Sequence, residues 1–160
     1  MWISSSRRSL PSFPDAEPAE HSERRLLALV VGEDPDLRRS VRTQLEAIRV
    51  PGNHSSGVFS VLEAESGRGA LSVLSAVAPA LVVLDLILPE LSGYEVCERM
   101  RAKAPLQYVP ILALSARAMP EDRAAAEEAG ASAFLAKPFT SRELTKHVLS
   151  LLAAAPIGDR

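Results

Sequence analysis

The amino-acid sequence predicts an α/β fold, a doubly wound parallel sheet of five strands in the order 2-1-3-4-5. Two observations carry the prediction. From Leu26 onward, short apolar runs alternate with longer segments of helical period, as in a parallel sheet with crossover helices. Three of those runs, at 26 to 31, 81 to 86 and 110 to 114, show no polar alternation, as expected of strands buried on both faces. Right-handed crossovers allow helices on both faces, and 2-1-3-4-5 is a common order for five such strands.

The elements follow along the chain. The strand runs are "LLALVV" (26 to 31), "VFSVLEA" (58 to 64), "LVVLDL" (81 to 86), "PILAL" (110 to 114) and "AFLA" (133 to 136). Between the first two, Leu37, Val41, Leu45 and Ile48 share one helical face. Ala70, Leu71, Leu74 and Val77 do the same, as do Val96, Cys97 and Met100. "EDRAAAEEAG" is an alanine-rich helix closed by Gly130, and Leu144, Val148, Leu151 and Leu152 mark the last one. The turn-rich "RVPGNHSSG" reads as a surface excursion with His54 exposed and inert.

The domain is expected over 26 to 153. The first 25 residues, rich in Ser, Pro and charge, read as a disordered arm, and 154 to 160 as a short tail. The arm lacks the apolar stretch of a signal peptide. The chain has 160 residues, 47% hydrophobic and 24% charged, enough for one core and little else. Its formal charge of −2 provides no field for nucleic acid or anionic lipid. No apolar run reaches the roughly 18 to 20 residues a membrane span needs. A lone cysteine, Cys97, permits no intrachain disulfide and fits a reducing cytoplasm.

In open α/β sheets, ligands bind beyond the carboxyl ends of the strands. The residues there are Glu33 and Asp34 after the first run, Asp85 at the third, Ser115 after the fourth and Lys137 after the fifth. Carboxylates in one place repel unless a cation intervenes, and an oxygen-only site with room for water suits Mg²⁺. A carboxylate can attack a phosphoryl group, whose oxygens an ammonium and a hydroxyl would then hold. Each residue also has a plainer role. Ser115 can end a strand, Lys137 can be a surface charge, and Asp34-Pro35 fits an N-cap and first helical position, which leaves Glu33 as the better metal candidate.

"LVVLDLILPELSGYEV", "VPILALSARAM" and "AGASAFLAKPF", in that order, resemble the receiver domain of two-component response regulators over about residues 25 to 153. The resemblance implies a flavodoxin-like (βα)5 fold, with Asp85 as phosphoacceptor, Ser115 as switch hydroxyl, Phe134 at the switch aromatic position and Lys137 as the phosphate-contacting lysine; with only "APIGDR" after the last helix, a single-domain type is expected. It further implies Mg²⁺ held by Glu33, Asp85 and the backbone carbonyl of Ile87, and a cis bond between Lys137 and Pro138. Its implied partners are a histidine kinase or histidine phosphotransfer protein as donor and a downstream target protein. The target would meet a changed face of the fourth helix, fifth strand and fifth helix; neither nucleic acid nor membrane is expected. Phe134 reads equally as an ordinary core aromatic.

One position departs from the family. With the match anchored on Pro35, the two adjacent acids of a receiver fall on Gly32 and Glu33, so the first acid is missing. A shifted register pairing Glu33 with Asp34 would restore both acids but turn the side chains of the first strand to the wrong face. The expected function is a phosphoacceptor signalling module, not an enzyme; the alternative is a phosphorylation-independent pseudo-receiver with a weakened Mg²⁺ site. A phosphatase of the haloacid dehalogenase type wants a second aspartate where Ile87 stands. A flavodoxin would need donors where "GEDPD" is acidic.

Overall fold

A computed structural model describes residues 23–154. The arm and the tail expected from the sequence lie almost wholly outside the described residues. The parallel sheet is built from β1 (Arg24–Val31), β2 (Gly57–Ala64), β3 (Leu81–Asp85), β4 (Ile111–Ser115) and β5 (Ala133–Ala136), in the order β2-β1-β3-β4-β5. The helices are α1 (Pro35–Ala47), α2 (Gly67–Ala76), α3 (Gly93–Arg101), α4 (Pro120–Ala129) and α5 (Ser141–Ala154). The predicted doubly wound order is the observed one.

Two cores result, one on each face. Val41 and Leu45 of α1 and Leu144, Val148 and Leu152 of α5 pack with Ala28, Val30 and Val83 on one side. Leu74 of α2 and Val96, Cys97 and Met100 of α3 pack with Leu29, Val82 and Leu84 on the other. Alternate strand residues therefore serve opposite cores, as the two-residue period demands. Every residue of β3 and β4 is buried, but β1 is fully buried only from Ala28 to Val31. Burying one such leucine contributes about 1.5–3 kcal/mol.

The helix starts are set by short polar side chains. Asp34 Oδ1 accepts the Asp36 N–H at 2.9 Å with Pro35 next in line, the capping geometry its sequence suggests. Ser66 caps α2, and Ser92 with Glu95 forms a capping box on α3. Thr140 and Glu143 exchange the same pair of bonds at α5. Gly130 ends α4 at φ 113, a conformation that favours glycine.

Two sequence expectations are corrected. β1 begins at Arg24, two residues before the apolar run, because the Arg24 N–H donates to Ser56 O and Arg24 and Arg25 pair with Gly57 and Val58. Val77 does not share the buried face of α2: the helix stops at Ala76, and Val77 is extended and exposed. The excursion at 49 to 57 is closed by an antiparallel bridge between Val50 and Gly57 and carries an exposed His54.

Cys97 is fully buried, and burial pushes its thiol up from the ordinary 9.0 to about 11. Because the thiolate is the nucleophile, Cys97 is expected to resist a disulfide-exchange reagent at pH 8 in the native protein and to react at once in denaturant. Between pH 9 and about 11 the unfolded thiol loses a proton that the native one keeps. Stability should therefore fall with rising pH there, by about 1.4 kcal/mol per unit, and a Cys97→Ala comparison by denaturant melts checks the slope.

Candidate functional site at the carboxyl edge of the sheet

Register brings the strand ends together. Val31 pairs with Leu84, Asp85 with Leu114, and Ser115 with Ala136, so the residues that follow β1 and β5 flank Asp85 and Ser115 on one edge. Lys137 N–H donates to Ser115 O at 2.9 Å, which continues the ladder one step beyond β5.

Asp85 is the last residue of β3 and is 6% exposed. Its Oδ2 accepts from Lys137 Nζ at 2.7 Å, and its Oδ1 accepts the Ile87 N–H at 3.0 Å. A buried carboxylate with both oxygens engaged is compensated for its burial, and the ion pair is mostly shielded from water. The chain then turns sharply. Leu86 N–H continues to β4 at Leu114 O, and Gly93 N–H returns to Leu86 O at 3.0 Å. A Cβ on Gly93 would lie 2.6 Å from Leu86 Cα, so only glycine lets α3 begin against the end of β3.

Ser115 is wholly buried, and its hydroxyl oxygen accepts the Arg117 N–H at 3.0 Å. It is the last residue of β4 rather than the first after it. Phe134 is half-buried, packed against the small cluster of Leu86, Ala113 and Ala126, with the Arg123 guanidinium 4.7 Å from its ring centre. The Lys137–Pro138 bond is cis.

Asp85, the exposed Glu33 carboxylate and the Ile87 carbonyl are all hard oxygen donors, which fits a Mg²⁺ completed by water and not an all-protein cage. Among the described residues no group of three or more His, Cys, Asp or Glu forms a metal cluster. Gly32 stands where the resemblance to receiver domains leads one to expect the first acid. A Cβ built there would stand 3.9 Å from Asp85 Cβ, in ordinary contact, so the position faces the site and has room for a side chain. Asp34 Oδ1 caps α1, the plainer of the two roles its sequence offers.

Sequence reasoning did not find Arg38. Its guanidinium Nη1 donates to Gly32 O at 2.7 Å and Glu33 O at 3.1 Å, and its Nε lies 3.4 Å from Glu63 Oε1. The helical period places Arg38 one turn into α1, but only the folded chain puts it above the loop.

Comparison with known proteins agrees with this arrangement. The family model described as the response regulator receiver domain matches residues 28–149. The response regulator Rre1 of Synechocystis sp. is 37% identical over 125 residues, 78% of this chain and 51% of its own length. The response regulator MprA of Mycolicibacterium vanbaalenii is 38% identical over 131 residues, covering 82% and 52%. The chain thus spans about half the length of these relatives. Among solved structures, a putative response regulator from Chloroflexus aurantiacus superposes with a TM-score of 0.71 at 31% identity, covering 81% of this chain and 99% of that one. The receiver domain of the sensor histidine kinase PA1611 from Pseudomonas aeruginosa, solved with a magnesium ion in its active-site cleft, gives 0.69 at 26% identity, covering 81% and 98%. With the sheet order, the strand-end residues and the family match in agreement, the chain belongs to the response regulator receiver domain family, which is a regulatory and not an enzymatic one.

Proposed function

We propose that this receiver domain accepts a phosphoryl group on Asp85 from a phosphohistidine of a histidine kinase or histidine phosphotransfer protein, and signals to a target protein through the surface of α4, β5 and α5. The observation that carries the reading is the 2.7 Å pair of Asp85 and Lys137, beside a buried Ser115 on the neighbouring strand end. A carboxylate oxygen of Asp85 forms the new O–P bond while the donor's P–N bond breaks, and the imidazole leaves with the electron pair. Lys137 keeps an ammonium on the side where negative charge arrives, and Ser115 supplies a hydroxyl at the next strand end. Glu33, Asp85 and the Ile87 carbonyl would hold Mg²⁺, which when bound supplies positive charge to the phosphoryl oxygens.

The switch reading follows from Ser115 and Phe134. If Ser115 moves toward a phosphoryl group, it gives up the Arg117 N–H and loosens the start of α4. Phe134 then has space to turn inward and leave Arg123. A groove of about 410 Å³ on this face, lined by Arg123, Phe134, Pro138, Glu143, Lys146 and His147, would change with it. No helix among the described residues is long and apolar enough to cross a membrane, and with one buried cysteine the cytoplasm is the proposed location.

The test is phosphotransfer profiling: labelled histidine kinases and phosphotransfer proteins are mixed with the domain and Mg²⁺. Rapid transfer from one donor supports the reading, and no transfer from any donor or from acetyl phosphate sinks it. Gly32 favours a second reading, a pseudo-receiver that binds its partner without phosphorylation. It predicts a weak cation site. Because residue 32 faces Asp85 with room for a side chain, Gly32→Asp is expected to tighten Mg²⁺ binding by about tenfold, the scale of one supporting group in a metal site. Equal affinities by Mg²⁺ titration would show that the missing acid has no effect.

A further inference from the structure

Arg38 joins three pieces of chain around Gly32. Its own backbone is in α1, its Nη1 binds the carbonyls of Gly32 and Glu33, and its Nε reaches Glu63 near the end of β2. Its side chain is only 15% exposed. Glu63 is held in turn by Arg42 Nη1 at 2.8 Å, and Arg42 also binds Glu46 at 2.9 Å. The fork therefore has a fixed back end. The stem of Arg38 covers the glycine, since a Cβ at residue 32 would lie 3.8 Å from Arg38 Cγ.

The loop needs such a restraint. Glycine is the most permissive residue, and Gly32 has no side chain to pack. Its N–H to Ala64 O at 3.1 Å fixes one side of the peptide, and the two carbonyls on Arg38 fix the other. The Glu33 carboxylate pairs with no other described residue, so its direction depends on the backbone that carries it.

We infer that Arg38 is a positioning residue for the cation site: by clamping the Gly32 and Glu33 carbonyls it aims the Glu33 carboxylate toward Asp85. The inference rests on the phosphoacceptor reading above. It also opposes simple electrostatics, because a guanidinium near a divalent cation repels it. Removing Arg38 should strengthen Mg²⁺ binding if only its charge matters and weaken it if the clamp matters.

The experiment is a Mg²⁺ titration followed by amide NMR shifts, without phosphoryl donor, on the full chain and on Arg38→Met and Arg38→Lys. Thermal melts check that each variant is folded. The expected result is about tenfold weaker binding in Arg38→Met, with Arg38→Lys also weakened, because an ammonium keeps the charge but not the two-carbonyl fork. Should Arg38→Met fail to fold, Arg38→Lys carries the test alone. Unchanged or tighter binding in Arg38→Met, or wild-type binding in Arg38→Lys, overturns the inference. A wild-type protein that gives no response to Mg²⁺ overturns the cation-site reading itself, and the inference falls with it.

Discussion

Asp85→Asn is expected to reduce phosphorylation by acetyl phosphate or a cognate donor to background while leaving the fold in place. The amide has nearly the same shape, and its oxygen can still accept the Ile87 N–H at the end of β3. What it lacks is the anionic oxygen that forms the bond to phosphorus. The Lys137 ammonium, 2.7 Å from Oδ2 in the native pair, then faces a neutral group but keeps partial access to water. The reverse deletion is different. Lys137→Met leaves the Asp85 carboxylate buried without its cation, a change of the kind that costs about 3 kcal/mol or more, so this variant should lose both stability and phosphorylation. Phosphate-affinity gels and thermal melts on the two variants separate these outcomes.

Arg101→Met is expected to produce a large loss of stability, with no direct effect on the site. Arg101 leaves the end of α3 and donates to four carbonyls: Gly130 at 2.8 Å, Val109 at 2.8 Å, Gln107 at 3.1 Å and Leu106 at 3.3 Å. Its Nη2 also meets Ser132 Oγ at 3.2 Å. Burial holds its pKa below the usual guanidinium value. Methionine can fill the volume of the stem but satisfies none of those acceptors. Since the group is partly exposed, some carbonyls will recover water, and the cost is about 2–4 kcal/mol, or roughly 5–15 °C in melting temperature. Arg101→Lys should recover little, because one ammonium cannot replace the separate nitrogens that reach Gly130, Val109 and Ser132. Both variants should still take phosphate from acetyl phosphate at low temperature.

The strand-end residues were legible in the sequence because each terminates an apolar run. Asp85 interrupts Leu, Val and Ile, Lys137 follows "AFLA", and Ser115 follows "ILAL"; once the strand order is right, register alone brings them to one edge. The Asp34 cap was equally legible, because Asp-Pro before a helical period has a local meaning. The clamps were not. Arg38 and Arg101 act on backbone carbonyls, which carry no sequence signal, and the acceptors of Arg101 extend from residue 106 to residue 130. The first two residues of β1 were missed for a related reason: Arg24 and Arg25 enter the sheet through main-chain pairing with β2, while their side chains look like those of a solvated segment. Gly32 shows the converse. Its departure from the family was plain in the sequence, but that its absent side chain faces Asp85 is a fact of the fold.

The phosphoryl group on Asp85 can be read chemically. Borohydride reduces an aspartyl phosphate to homoserine, so treating the acetyl phosphate-loaded protein and sequencing its peptides by mass spectrometry reads the acceptor directly. Homoserine is expected at position 85 and nowhere else, with its yield dependent on Mg²⁺. Homoserine at another aspartate, or none at position 85 in protein that has demonstrably bound Mg²⁺, would contradict it.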